Sequence, residues 1–153
     1  MHDATLALVH RYYDAFNRGD VPAMLACLAA DVAHDINQGA REVGRDAFAA
    51  FMARMNRCYR ERLRDIVVMA TPDGARAAAE FVVDGTYLET DAGLPPARGQ
   101  TYSLPGGAFF AVRDGLIARV KRSTACGFSL RTEMRSCTSA RSGEGSGASG
   151  PWQ

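Results

Sequence analysis

Residues 31–39 hold several side chains that can do chemistry in one short segment. His34 supplies an imidazole and Asp35 a carboxylate, and Asn37 and Gln38 add two carboxamides. An unperturbed imidazole has a pKa of about 6.5, so His34 could take or give a proton near neutral pH. A carboxamide could hold a water molecule or donate a hydrogen bond to an enolate oxygen. These residue types indicate proton abstraction beside a carbonyl group, or activation of water, on an apolar small molecule.

The orientation of these side chains depends on the local backbone. In a regular strand alternate residues point to opposite faces, so His34 and Ile36 share one face. Asp35 and Asn37 then share the other. A bulge near Ile36 would bring His34 and Asn37 to the same side. His34 is either a catalytic group or a core histidine bonded to a backbone carbonyl, and both interpretations stay open.

Further candidates come from the apolar segments around this one. Tyr12 could donate a hydrogen bond to an enolate, or could be an ordinary packed helix residue. Glu80 and Asp84 share one face of a predicted strand, and either face could line a pocket. Desolvation in such a pocket would raise the pKa of a carboxylate. The candidates form a catalytic and a substrate-binding group: His34, Asn37, Tyr12 and Asp35 in the first, and Tyr13, Met52, Met55, Glu80, Asp84 and Phe110 in the second.

The composition argues against several classes of partner. The formal net charge of +1 gives no reason to expect nucleic acid or an anionic membrane as a partner. No apolar run approaches the roughly 20 residues that span a bilayer, and the N-terminus lacks the pattern of a secretory signal. The four cysteines match no zinc spacing, and we expect neither a metal nor a cofactor. Cys27 and Cys58 lie on apolar stripes as free thiols, which favours the cytoplasm.

Apolar spacing predicts three helices in the N-terminal half. Asp3 or Thr5 is expected to cap the first helix, and Gly19 to end it. Asp20 is expected to cap the second, which has a proline in its first turn. After a loop over 41–46, apolar residues at helical spacing carry the third helix towards Leu63.

The remaining pattern predicts strands. A proline-glycine turn at 71–74 separates the first two strands, and Arg-Asp-Gly at 113–115 makes a tight hairpin between the last two. Pro-Gly-Gly at 105–107 should force a bulge or bend in the third. The four predicted strands span 66–69, 77–88, 99–112 and 116–124. Helices followed by long antiparallel strands indicate an α+β fold, with a cavity between helices and sheet.

The length of 153 residues fits one domain, which we place at 1–130. Residues 131–153 form a tail rich in serine, glycine and arginine, with few large apolar residues to order it.

The chain resembles the SnoaL-like, ketosteroid-isomerase-related branch of the NTF2-like superfamily. Four short motifs carry the resemblance: Arg-Tyr-Tyr-Asp-Ala-Phe-Asn-Arg-Gly-Asp at 11–20, Asp-Val at 31–32, Gly-Arg-Asp-Ala-Phe at 44–48 and Asp-Gly-Leu-Ile at 114–117. The resemblance implies an α+β barrel or cone, in which three N-terminal helices pack on a strongly curved, mostly antiparallel sheet. It also implies a deep apolar pocket and a homodimer formed through the sheet.

The resemblance also assigns roles to individual residues. Tyr12 matches the ketosteroid isomerase tyrosine that donates to the dienolate oxygen, and Ala108 stands in place of that enzyme's second donor. An alanine methyl group cannot donate a hydrogen bond. His34 and Asn37 match a tyrosine and an asparagine that hold the attacking water in limonene epoxide hydrolase. The late aspartate of that enzyme aligns near Arg122.

The superfamily holds isomerases, polyketide cyclases, epoxide hydrolases and members that only bind, so the fold alone does not give the function. We therefore carry two main hypotheses. The first is a small enzyme that acts on an apolar carbonyl or epoxide compound by acid/base chemistry centred on His34. The second is a non-catalytic module that binds the same kind of ligand. A scaffold domain with a filled cavity is a third possibility.

Overall fold

A computed structural model describes residues 1–36 and 40–124. The predictions made for Asn37, Gln38 and the 131–153 tail lie outside the described residues. Three helices and six strands follow one another along the chain: α1 His2–Arg18, α2 Val21–Ala26, β1 Leu28–Asp35, β2 Arg41–Val43, α3 Arg45–Cys58, β3 Tyr59–Ala70, β4 Arg76–Tyr87, β5 Thr101–Arg113 and β6 Leu116–Thr124.

The strands form one mixed sheet in the order β2-β1-β6-β5-β4-β3. Among the described strands only the β1–β6 pair is parallel, and the other neighbours are antiparallel. The expected α+β fold with a mostly antiparallel sheet is therefore confirmed. Within the described residues the sheet is open at β2 and β3 and does not close into a barrel.

The ends of α1 and α2 show which of the predicted sequence signals determine the helix boundaries. Gly19 ends α1 in the left-handed conformation with φ 69°, as predicted. Asp20 caps α2 by accepting a 3.0 Å hydrogen bond from the backbone of Ala23, which is also confirmed. The predicted cap of α1 is wrong, because the helix already begins at His2 and has no side-chain cap. Thr5 instead donates its hydroxyl to the carbonyl of Gly74 at 2.8 Å.

Three predicted boundaries differ from the structure. The third helix ends at Cys58, and residues up to Leu63 belong to β3, because they pair residue by residue with β4. The loop expected over 41–46 contains the short strand β2, which pairs with β1. Pro-Gly-Gly at 105–107 makes no bulge against β4, where the pairing is unbroken. The register shift of β5 falls instead between Ala111 and Val112, on the side of β6.

We call the sheet face that packs against the helices the inner face, and the opposite one the outer face. The ring of Tyr13 on α1 packs edge-on against that of Phe81 on β4, with 5.4 Å between the ring centroids. Phe81 and Val83 are buried on the inner face. Because side chains alternate along a strand, Glu80 and Asp84 lie on the outer face. In the predicted 77–88 strand, the face that carries Phe81 and Val83 therefore packs against the helices.

Candidate active site

His34 lies on the inner face of β1 and is only 4% exposed. Its ring packs against two rings of α3, with centroid distances of 4.8 Å to Phe48 and 4.6 Å to Phe51. Within the described residues, Nδ1 is buried without a hydrogen-bond partner. Burial lowers the pKa of His34, because desolvation penalises the imidazolium. The ring is therefore neutral near pH 7 and able to accept a proton.

Asp35 points to the other side of β1, as strand alternation predicts, and joins three strands. Its carboxylate accepts hydrogen bonds from Nε of Arg41 on β2 at 2.6 Å and from Nε of Arg119 on β6 at 2.7 Å. The hydrogen bond from Arg41, reinforced by Arg119, holds the pKa of Asp35 well below its usual range. The group is ionised, and both of its oxygens are engaged by arginines.

We expect Asp35→Asn to lower the free energy of unfolding by about 1–2 kcal/mol at pH 7, because it removes charge-assisted hydrogen bonds to two neighbouring strands. A depressed carboxyl pKa gives stability that is present above the unfolded value of 3.8 and is lost as the pH falls below it. The variant should therefore lose less stability than the unmodified protein between pH 5 and pH 3. Urea unfolding at several pH values measures both effects.

Asp31→Asn is the matched control for this prediction. Asp31 lies on the same strand and pairs with one arginine, Arg113, but its side chain is 63% exposed. An exposed pair of this kind contributes roughly 0.2–1 kcal/mol. If the two variants lose equal amounts of unfolding free energy, the position of Asp35 between two neighbouring strands adds nothing to its contribution.

A cavity of about 290 Å³ opens beside the C-terminal ends of α1 and α3, at the start of β3. Its lining combines apolar and polar groups: Phe16, Asn17, Arg18, Gly19, Phe51, Met52, Met55, Asn56, Tyr59, Arg60, Glu61 and Arg122. Of the predicted substrate-binding residues, Met52 and Met55 belong to this lining. Phe51 connects the cavity to His34, because the same ring lines the cavity and contacts the imidazole.

A polar cluster of three residues that sequence reasoning did not select as site residues lies at this cavity. We call Glu61, Tyr102 and Arg122 the Glu61 cluster. Tyr102 donates its hydroxyl to Oε1 of Glu61 at 2.7 Å, and Nη2 of Arg122 donates to Oε2 at 3.2 Å. The Glu61 side chain is 6% exposed, so this is a buried carboxylate with both oxygens bonded.

Gly85 makes the Glu61 cluster sterically possible. It lies directly between Glu61 on β3 and Tyr102 on β5 in the pairing of the three strands. A Cβ atom at this position would come within 2.1 Å of Cζ of Tyr102. The Tyr102 ring therefore crosses β4 over the bare backbone of Gly85 to reach Glu61.

The charge of Arg122 links the Glu61 cluster to three sequence-predicted residues. Burial lowers the pKa of His34 and raises that of Tyr12 and of Tyr13, and in each case Arg122 is near enough to act as a further, lowering influence. Tyr12 therefore stays protonated and keeps a hydroxyl donor. The positive charge of Arg122 therefore acts on all three side chains.

The remaining candidates lie elsewhere. Tyr12 packs edge-on against Tyr13 at 5.2 Å and Phe110 at 5.8 Å, in a buried aromatic group that does not belong to the described lining of the cavity. Glu80 is exposed on the outer face. Asp84, on the same face, accepts a 2.7 Å hydrogen bond from Arg64. The structure thus brings His34 and the two methionines towards one region, with Phe51 between them, and places Tyr12 in a separate aromatic group and both β4 carboxylates on the outer face.

The described residues contain no group of three histidine, cysteine or acidic side chains close enough to hold a metal ion. None of the described helices has the length and apolar character that crossing a membrane requires.

Comparisons with known proteins identify the family and the fold. Residues 9–120 match the model of the SnoaL-like domain. A candidate polyketide cyclase from Xanthomonas campestris pv. campestris is 60% identical, with a TM-score of 0.81, over 84% of this chain and 96% of that one. A second candidate polyketide cyclase, from Pseudomonas putida KT2440, is 61% identical, with a TM-score of 0.78, over 80% of this chain and 92% of that one.

A more distant structure shares the fold alone. An LEH-like epoxide hydrolase from M. tuberculosis is 17% identical, with a TM-score of 0.67, over 92% of this chain and 98% of that one. No protein of curated function matches the sequence.

Proposed function

Because this chain belongs to the SnoaL-like domain family of NTF2-like proteins, we propose that it is a cofactor-free enzyme performing acid/base chemistry on a small apolar carbonyl or epoxide compound. The observation that carries the proposal is a neutral, buried imidazole whose Nδ1 has no hydrogen-bond partner among the described residues, one aromatic ring away from a cavity lined by Arg122 and the buried Glu61. A proton acceptor buried among aromatic rings suits chemistry at carbon, where water would compete for the proton.

In the proposed step, Nδ1 of His34 removes a proton from the carbon next to a carbonyl group, and the electron pair moves onto the carbonyl oxygen. The oxyanion is stabilised by the guanidinium of Arg122, which belongs to the described lining of the cavity. The carbanion then attacks a second carbonyl in the same molecule, and the imidazolium returns its proton to the new alkoxide. The result is ring closure, and return of the proton to a different carbon would give isomerisation.

Ring closure is the reaction we favour within this group. The relatives at 60% and 61% identity are described as candidate polyketide cyclases, and they span nearly the whole domain. Epoxide opening is less well supported, because the epoxide hydrolase likeness lies at 17% identity. In this proposal Asn37, which a bulge near Ile36 would bring to the side of His34, acts beside it, and Asp35 positions β1 through its two arginines.

The test is proton exchange in D₂O over a panel of enones, epoxides and diketones, followed by NMR and mass spectrometry. We expect deuterium at the carbon next to a carbonyl, with or without a cyclised product. If the protein opens the epoxides but exchanges no proton of the carbonyl compounds, the proposed chemistry becomes activation of water. An inert panel would overturn the acid/base function.

One observation favours a non-catalytic binding module as the second candidate. His34 itself does not belong to the described lining of the cavity, since Phe51 lies between them. A binding module would show ligand affinity for the same panel without deuterium exchange or turnover.

We further propose that two copies pair through the outer face of the sheet. Met69 on β3 and Phe109 on β5 both lie opposite Ala78 in the pairing, and they are 51% and 56% exposed. Val67, 49% exposed, extends the same apolar patch. Burying such a patch against a second copy would remove its apolar surface from water.

We expect Phe109→Glu to convert a dimer to a monomer in sedimentation velocity at micromolar concentration, because it places a carboxylate in the centre of the apolar patch. Val43→Glu on β2 is the control, since Val43 is 61% exposed at the other edge of the sheet. A monomeric unmodified protein, or a Phe109→Glu variant that stays dimeric, would refute pairing through this patch.

We also propose a cytoplasmic location. Cys27 and Cys58 are buried free thiols, which a reducing compartment preserves. Cell fractionation tests this directly.

A further inference from the structure

The Glu61 cluster holds a guanidinium at the wall of the cavity. Arg122 belongs to the described lining, and its side chain is 25% exposed, whereas that of Glu61 is 6% exposed. We infer that Glu61 and Tyr102 are positioning residues, which together fix the guanidinium of Arg122 in the orientation that meets the oxyanion of the proposed reaction. The inference rests on the proposed function and assigns both residues a role in that same site.

Stability alone gives little reason for this cluster. Moving an ion pair out of water has a desolvation cost that the attraction between the two charges often fails to offset. Glu61 lies between the buried Tyr59 and Leu63 on one face of β3, where an apolar side chain would avoid that cost. A buried carboxylate in the lining of a cavity is better explained by what it does to Arg122.

The backbone that carries Glu61 is held from both sides. On one side residues 59–64 pair with β4 in an unbroken register. On the other side the N–H of Leu63 donates to Oδ1 of Asn17 at 2.8 Å, and its carbonyl accepts from Nδ2 at 2.9 Å. β3 is an edge strand of the described sheet, so this carboxamide takes the place of a neighbouring strand. The position of Glu61 relative to the cavity is therefore fixed.

Tyr102 fixes the carboxylate group itself. The terminal torsion of a glutamate has a broad energy minimum, so a carboxylate with a single partner can turn about its last bond. The hydroxyl of Tyr102 binds Oε1 at 2.7 Å, and Oε2 is left to accept from Nη2 of Arg122 at 3.2 Å. With both oxygens anchored, the plane of the carboxylate is defined, and so is the direction from which it holds the guanidinium.

A fixed guanidinium has its effect in the transition state. A donor that is aimed in advance at the developing charge stabilises the oxyanion without having to reorganise. The oxyanion forms only as the proton leaves carbon, so a misdirected donor lowers kcat and leaves binding of the neutral substrate unchanged. A residue that only stabilises the fold would not separate kcat from KM in this way.

The kinetic test compares Tyr102→Phe with Ser103→Ala on a reactive panel compound. Each variant removes a hydroxyl of β5 that donates at 2.7 Å to a carboxylate paired with an arginine. In the control the carboxylate is Asp84, which accepts from Arg64 on the outer face. We expect Tyr102→Phe to lower kcat about three- to tenfold, with KM changed by less than about twofold, and Ser103→Ala to change neither.

Glu61→Gln is the second variant, because it keeps the shape of the side chain and removes its charge. The guanidinium then loses its charged partner, and we expect kcat to fall about 10- to 100-fold, again with little change in KM. A KM that rises while kcat is unchanged would show that the cluster acts on substrate binding and would contradict the inference.

A spectroscopic readout is independent of turnover. In the full chain with ¹⁵N-labelled arginine, a guanidinium that is held on one side rotates slowly about its Cζ–Nε bond and gives separate Nη signals in NMR. We expect separate signals for Arg122, assigned by their loss in Arg122→Lys. The two signals should merge in Glu61→Gln and exchange faster in Tyr102→Phe, and Ser103→Ala should leave them unchanged.

Averaged Nη signals for Arg122 in the unmodified protein, unchanged rotation in Glu61→Gln, or equal kinetic effects of Tyr102→Phe and Ser103→Ala would overturn the inference. The proposed function is judged separately, by deuterium exchange. An inert panel together with Nη signals that merge in Glu61→Gln would remove the function and support the fixed orientation of Arg122.

Discussion

Gly85→Ala is expected to lower the free energy of unfolding by about 2–3 kcal/mol, the upper range for overpacking at a buried position. The new methyl group would overlap the far end of the Tyr102 ring, at 2.1 Å from Cζ and 2.4 Å from the hydroxyl oxygen. The ring would have to leave its place over β4 and give up the hydrogen bond to Glu61. A buried carboxylate would then lose one of its partners, which adds to the steric cost.

A double-mutant cycle separates the clash from the intrinsic effect of the substitution. In a Tyr102→Ala background the methyl group at position 85 has room, and Gly85→Ala should cost less than about 1 kcal/mol in urea unfolding. Tyr102→Phe supplies a further comparison, because it keeps the ring and removes only the hydrogen bond. If Gly85→Ala lowers the free energy of unfolding equally with and without the Tyr102 ring, a clash with that ring is not the reason for glycine at this position.

His34→Gln is expected to reduce turnover of a reactive panel compound by about 10²- to 10⁴-fold, the usual contribution of a positioned general base. Glutamine keeps a polar side chain of similar length but cannot accept a proton from carbon. The control is His10→Gln, which changes an exposed histidine of α1 and should leave turnover unchanged. Circular dichroism and thermal unfolding of both variants show whether the fold is retained.

The pH profile gives a second readout of the same group. A base acts in its neutral form, so the rate falls when the pH drops below the pKa of His34. Since burial lowers that pKa from 6.5, activity should persist below pH 6.5 before the acid limb begins. An acid limb that is unchanged in His34→Gln, or turnover that survives the substitution, would assign the proton transfer to another residue.

Local signals in the sequence were sufficient to predict much of the fold. The Gly19 stop, the Asp20 cap and the glycine turn at Gly74 are confirmed, because each depends on a few neighbouring residues. The tight hairpin before β6 is also confirmed, with positive φ angles at Asp114 and Gly115. The opposite orientations of His34 and Asp35 follow from strand alternation, but which of the two faces is buried does not.

The Glu61 cluster could not be found in this way. Apolar spacing extended the third helix past Tyr59, and on a helix Glu61 reads as one more charge on a solvated face. Only pairing with β4 makes this stretch a strand, and alternation then places Glu61 between the buried Tyr59 and Leu63. A carboxylate between two buried positions of one strand face is a signal for a functional site, but it becomes visible only when the strand is recognised.

Tyr102 and Arg122 depend on still longer-range information. Tyr102 reaches Glu61 because the strand between them has a glycine at the crossing point, which links residues 41 positions apart. Arg122 approaches the same carboxylate from 61 positions away. Such contacts are set by the register of four strands, which no local pattern specifies.

The parallel pairing of β1 with β6 determines when the site can assemble during synthesis. His34 lies beside Val120 in this pair, so the strand that carries the imidazole gains its neighbour on that side only after nearly the whole domain has left the ribosome. Until then β1 can pair only with β2, and Arg122 is absent. A nascent chain that stops before β6 would expose the edge of β1 to other chains, and the proposed acid/base chemistry begins only once the last strand is in place.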